Sequence, residues 1–159
     1  MIRVLFVCLG NICRSPMAEA VFRRMVQEAG HIDRIEVDSA GTGDWHVGEP
    51  PHRGTRELLR KRGIDHEGML ARQVKRSDFA DFHYIVAMDS TNRDDLQKLA
   101  RENEAEKEKV VLILDFLPNE KRKDVPDPYF TGNFEEVYRL LDGSCRRLLE
   151  HIIERHERL

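Results

Sequence analysis

Residues 1–20 read MIRVLFVCLGNICRSPMAEA. Met1 to Val7 is a short run rich in β-branched and aromatic residues, the composition of a strand buried on both faces. Ser15-Pro16 offers an N-cap followed by proline at the first helical position. Met17, Ala18, Val21, Phe22, Met25 and Ala29 then keep helical spacing up to Gly30, a natural C-terminal stop. Between strand and helix stand Cys8 and Arg14, with five residues between them, and a second thiol at Cys13.

The alternation continues along the chain. Arg34 to Ser39 reads as a second strand and Ala40 to Gly43 as its exit loop. Pro50-Pro51 precedes a helical HRGTRELLRKRG that ends at Gly63. His83 to Met88 is a third strand. A helix follows over Thr91 to Arg101, with Asp89, Ser90, Thr91 and Asn92 offering caps. Val110 to Leu114 is a fourth strand, and a polar loop runs from Pro118 through Asp127-Pro128. The last helix opens near Asn133, with Glu136 as capping partner. Its apolar positions Phe134, Val137, Leu141, Cys145, Leu148 and Ile152 step by three or four. This pattern predicts an α/β fold: one domain over 1–159, a four-stranded parallel sheet with helices on both faces, flavodoxin-like or Rossmann-like, and a phosphate-binding loop after the first strand. Ligands of such sheets bind beyond the carboxyl ends of the strands. Cys8, Ser39 to Gly43 and Asp89 all lie there, so these separate segments are expected to meet.

Bulk composition narrows the partners. With 159 residues, 40% hydrophobic and 35% charged, the chain is long enough for a real core and is neither disordered nor fibrous. A formal net charge of −3 argues against general affinity for nucleic acid or anionic membranes. No apolar run approaches the ~20 residues of a membrane span, and the first residues do not form a secretory signal. The expectation is a cytoplasmic protein, leaderless export remaining open, with three cysteines held as thiols rather than as a disulfide framework.

The segment Cys8-Leu9-Gly10-Asn11-Ile12-Cys13-Arg14-Ser15 is a C-x5-R-S pattern. Five residues between Cys8 and Arg14 suffice to curl into a nest of backbone N–H groups around an oxyanion. Gly10 and Asn11 tolerate the left-handed conformations such a loop needs. The helix N-terminus behind it adds donors and partial positive charge. Arg14 supplies a planar fork matched to two phosphate oxygens. Such surroundings favour thiolate over thiol at Cys8, and the Ser15 hydroxyl is placed to donate to the sulfur. The nucleotide-binding G-x4-G-K-[ST] and the dinucleotide-binding G-x-G-x-x-G are both absent. Cys-x4-Cys lacks a second ligand pair for zinc and is not the C-x-x-C of redox proteins. A phosphate site with a nucleophile and without a nucleotide describes phosphoryl transfer to cysteine.

In VCLGNICRSPMAEA the chain resembles low-molecular-weight protein tyrosine phosphatases, bacterial members above all. DSAGTGDW (38–45), ARQV (71–74), VAMDSTN (86–92) and DPYFTGNFEEV (127–137) fall in the matching order, so the resemblance spans essentially the whole chain. It implies metal-independent hydrolysis of phosphotyrosine in proteins, with no cofactor and with phosphate or other oxyanions in the site. Cys8 is the implied nucleophile, Arg14 binds the phosphoryl group, and Asp127 serves as general acid and then base. Asn11, Ser15 and Ser39 match positions that brace the loop. An acid is what a metal-free expulsion of phenolate needs, and Pro128 biases Asp127 toward an extended, stiff segment; Asp124 is the nearby rival. Ile12, Trp45, Tyr129 and Phe130 are expected to wall the pocket. The resemblance further implies a reversible Cys8–Cys13 disulfide, making Cys13 a redox guard, whereas Cys145 reads as inert core. A monomer or weak homodimer is expected.

The chain departs from the family at Gly68-Met69-Leu70, where several members carry a histidine that supports the loop; His66 lies nearby. The remaining histidines read as surface residues. Three rival functions stand beside the leading one. Arsenate reductases of this fold need relay cysteines, and residues 14–144 contain none. Protein arginine phosphatases of the family carry Thr where this chain has Ile12. A silent phosphopeptide-binding module is opposed by intact Cys8, Arg14 and Asp127.

Overall fold

The computed structural model describes residues 1–156. Its elements are β1 (Ile2–Cys8), α1 (Arg14–Glu28), β2 (Ile35–Gly41), α2 (Arg53–Lys61), α3 (Asp78–Asp81), β3 (Tyr84–Ala87), α4 (Ser90–Ala100), α5 (Glu104–Lys107), β4 (Val110–Leu112), a 3-10 turn (Ile113–Phe116), α6 (Pro128–Thr131) and α7 (Phe134–Arg155). The four strands are parallel in the order β2-β1-β3-β4. This is the sheet expected from the alternation of strands and helices.

Strand periodicity divides the core in two. Val4, Phe6 and Cys8 of β1 face a cluster built with Met17, Val21, Phe22, Leu141, Cys145 and Leu148 of α1 and α7. Leu5 and Val7 face the opposite cluster, with Phe79 of α3 and Leu96 and Ala100 of α4. From Val4 to Cys8 both faces of the strand are therefore covered, which is why this stretch of β1 is apolar rather than alternating. No helix among the described residues is long and apolar enough to cross a membrane.

Several boundaries differ from those read in the sequence. Helix α1 starts at Arg14, and Cys13, not Ser15, is its N-cap residue. Ser15 does not cap because its hydroxyl is engaged by Cys8 and Asn11, and Pro16 accordingly lies within the first turn rather than at its start. Ala40 and Gly41 belong to β2, where Gly41 also bridges to Gln73. β4 ends at Leu112 because the chain tightens into the 3-10 turn. The segment read as a loop up to Pro128 ends in a short helix, α6, capped by Asp127.

β1 lies between β2 and β3, so the chain leaves it toward one edge and later returns to the other side. Such a switch point opens a crevice past the strand ends. The loop of residues 9–13 fills that crevice.

Candidate active site

The loop is held from outside by its carbonyls. The Cys8 and Leu9 carbonyls accept from the N–H groups of Thr42 and Gly43, both at 2.9 Å, and that of Ile12 accepts from His52 N–H at 2.6 Å. The Cys13 carbonyl accepts from the Thr55 hydroxyl at 3.1 Å and from Met17 N–H at 3.3 Å. No acceptor of the chain takes the N–H groups of Gly10, Asn11, Ile12 or Cys13 among the described residues. Tethered carbonyls with unclaimed amides make the concave donor array that binds anions.

Asn11 is the pin of the loop. Its backbone is left-handed, with φ of 56°, a conformation Asn tolerates better than most residues. Its side-chain amide donates to Ser15 Oγ at 2.8 Å and to Ser39 Oγ at 2.9 Å, and its Oδ1 accepts from Arg72 N–H at 3.0 Å. Ser39 in turn donates to Glu19 Oε1 at 2.6 Å, and Glu19 pairs with Arg23. Gly10 does not take the left-handed conformation. A Cβ there would lie 3.0 Å from the His46 ring. At Gly41 a Cβ would lie 2.8 Å from the Leu9 carbonyl oxygen and 3.2 Å from the Asn11 nitrogen, so the strand end must lack a side chain for the loop to lie on it.

Cys8 Sγ lies 3.0 Å from Ser15 Oγ. Arg14 is buried; its Nη1 donates to Asp89 Oδ2 at 2.6 Å and to the Val125 carbonyl at 3.0 Å, and its Nη2 lies 3.5 Å from Asp127 Oδ2. Burial opposes its charge, but Cys8, Asp89 and Asp127 outweigh that effect and raise its pKa. Its Nε is buried without an acceptor from the chain. Burial, together with the negative charges of Cys8 and Asp127, pushes the Cys13 thiol up to about 12. Burial raises Cys145 as well, in the core on α7. All three cysteines are free.

A cleft of about 220 Å³ brings Cys8, Cys13 and Arg14 together with Leu9, Ile12, Trp45, His46, Asp127, Tyr129 and Phe130. Trp45, Tyr129 and Phe130 are 70%, 54% and 77% exposed, so they are rim residues and not core. Asp127 Oδ1 accepts from Tyr129 N–H at 3.0 Å, which caps α6 and turns the carboxylate toward the cleft. Asp124, the rival acid, is spent on the N–H and hydroxyl of Ser90. Ser39 lies outside the cleft, behind Asn11. The His66 ring hydrogen-bonds the Ile64 carbonyl and does not line the cleft. Two histidines read as surface residues belong here: His46 lines the cleft and pairs with Glu49, and His52 holds the loop. Nothing in their sequence spacing marks them, since the loop residues they meet, Gly10 for His46 and Ile12 for His52, lie over thirty residues away. No cluster of three metal-binding side chains occurs among the described residues.

A parallel sheet that delivers a cysteine and an arginine to one amide-lined loop defines an oxyanion-binding type of site. The description "Low molecular weight phosphotyrosine protein phosphatase" matches the chain over residues 3–158, and the protein belongs to that family of hydrolases. It is 53% identical over 152 residues to the low molecular weight protein-tyrosine-phosphatase YfkJ of Bacillus subtilis, covering 96% of both chains. To PtpA of Staphylococcus epidermidis it is 46% identical over 154 residues, covering 97% of this chain and 96% of PtpA. The crystal structure of YfkJ superposes with a TM-score of 0.95 at 51% identity, over 98% of this chain and 96% of that one. A protein tyrosine phosphatase from Entamoeba histolytica with Hepes in the active site gives 0.89 at 36% identity, over all of both chains. A drosophila arginine phosphatase gives 0.86 at 36% identity, over 94% of this chain and 96% of that one.

Proposed function

We propose that the protein hydrolyses phosphotyrosine in proteins, and aryl phosphates generally, without a metal and through a phosphocysteine on Cys8. The observation that carries this reading is the convergence of Cys8 Sγ, the Arg14 guanidinium with its unclaimed Nε, and the Asp127 carboxylate on one amide-lined cleft. The phosphoryl oxygens bind the loop amides and the Arg14 fork, which stabilises the negative charge that spreads over them in the transition state. The Cys8 sulfur attacks phosphorus as the bond to the aryl oxygen breaks, and protonated Asp127 delivers its proton to that oxygen. Water then attacks the phosphocysteine, Asp127 takes the proton, and the S–P bond breaks. The Ser15 hydroxyl, 3.0 Å from the sulfur, stabilises the departing thiolate. Hepes in the active site of the Entamoeba relative supports an anion-binding role for the loop.

Ile12 and the aromatic rim suit a flat phenyl ring, where ring contacts contribute about 0.5–1.5 kcal/mol each beyond burial. Hydrolysis of phosphoarginine has a structural relative among arginine phosphatases, but bulky Ile12 narrows the cleft against it. The same reading keeps the chain in the cytoplasm, acting on phosphotyrosine proteins. The test is hydrolysis of phosphotyrosine peptides, phosphoarginine peptides and aryl phosphates with EDTA present. Cys8→Ser abolishes activity, and Asp127→Ala costs about 10²–10⁴-fold with poor leaving groups and far less with good ones. Sensitivity to EDTA, activity in Cys8→Ser, or equal loss across leaving groups contradicts the mechanism. A preference for phosphoarginine substitutes the second reading.

A further inference from the structure

His52 joins the two halves of the cleft. Its backbone N–H holds the Ile12 carbonyl of the phosphate loop at 2.6 Å. Its Nδ1 accepts the Gly54 N–H at 3.0 Å and so caps α2. That acceptor role puts the ring proton on Nε2. One face of the ring stacks on Phe134, with centroids 5.3 Å apart and planes 22° apart. Tyr129 meets it edge-on, at 5.9 Å and 76°. Phe134 is fixed in turn, because it covers Gly54 so closely that a Cβ there would lie 2.4 Å from its ring. Tyr129 is the residue whose N–H binds Asp127 Oδ1. A continuous chain of contacts thus runs from Ile12 through His52 and Tyr129 to the carboxylate.

We propose that His52 is a positioning residue for Asp127: its ring is the spacer that sets the acid-bearing segment against the phosphate loop. The inference rests on the reading of Asp127 as acid. Ring and cap are separable functions. An asparagine at this position keeps a strong N-cap acceptor and the backbone N–H but removes the ring. A phenylalanine keeps the ring and loses the acceptor. Tyr129 loses its platform only in the first case, and a displaced acid weakens proton delivery without disturbing sulfur attack.

The experiment measures kcat and KM of the full chain on aryl phosphates of graded leaving-group basicity. His52→Asn lowers kcat for phenyl phosphate by about tenfold while p-nitrophenyl phosphate stays within about twofold, a displacement cost below that of deleting the acid. The dependence on leaving group steepens and KM is unchanged. His52→Phe restores the wild-type dependence. In an Asp127→Ala background, His52→Asn adds nothing, because two groups acting through one step are not additive. Equal loss on all leaving groups in His52→Asn, or loss that adds to that of Asp127→Ala, overturns the inference and leaves the acid reading intact. An Asp127→Ala variant that is itself insensitive to leaving group overturns both.

Discussion

Two thiols five residues apart carry opposite chemistry. Cys13 is buried and close to Cys8 and Asp127, and its pKa of about 12 keeps it protonated at neutral pH. Burial raises Cys145 in the same direction. Only Cys8 lies at the floor of the cleft with a hydroxyl on its sulfur. Iodoacetamide at neutral pH is therefore expected to modify Cys8 and spare the other two, as read by peptide mass mapping. Under mild peroxide, Cys8 is expected to be oxidised to a sulfenic acid that condenses with the Cys13 thiol, releasing water and forming a disulfide. Inactivation that thiols reverse, with a Cys8–Cys13 cross-link in the peptide map, is the expected result. Lasting inactivation without that cross-link rejects the guard role of Cys13.

Strand and helix ends, rather than their middles, shape the site. β2 ends at Gly41 against the loop, and any side chain there collides with main-chain atoms of Leu9 and Asn11. Main chain gives way less readily than a flexible side chain. Gly41→Ala is expected to cost about 1–3 kcal/mol of stability, the usual range for overpacking. It also lowers kcat/KM; urea unfolding and steady-state kinetics together check both effects. A stable variant with full activity would mean that the loop does not depend on this contact. The strands, the long helices and the Asn133 cap were legible in the sequence, because their signals are local: period, cap residue and stop. The start of α1 was not, since what Ser15 does depends on Cys8 and Asn11 as well as on its neighbours. Helices α3, α5 and α6 span four residues each, too short for any period to register. The roles of His46 and His52 arise from tertiary neighbours and have no local signature.

The molecule separates its titrating groups by position in the sheet. His83 sits at the end opposite the loop, where its Nδ1 accepts the Arg3 N–H at 3.0 Å. Burial, Lys109, His156, the chain amino group and Arg3 all lower its pKa from 6.5. The folded state thus keeps His83 neutral where the unfolded chain takes up a proton. Unfolding is favoured as pH falls through 6.5, and the loss levels off below the folded value. Between about pH 7.5 and about pH 5.5, the urea midpoint of the wild type is expected to fall more than that of His83→Gln. An equal fall in both excludes His83 as a source of acid sensitivity.

The outward tethers of the loop have a kinetic meaning as well. Cys8 and Arg14 lie within the first fourteen residues, yet the groups that hold them come from Thr42, His52, Thr55, Arg72, Asp89 and Val125. Closing contacts of such sequence separation is slow compared with forming α1. During refolding, the return of catalysis therefore times the docking of the last of these segments, the one bearing Val125 and Asp127, and lags behind the recovery of helical signal.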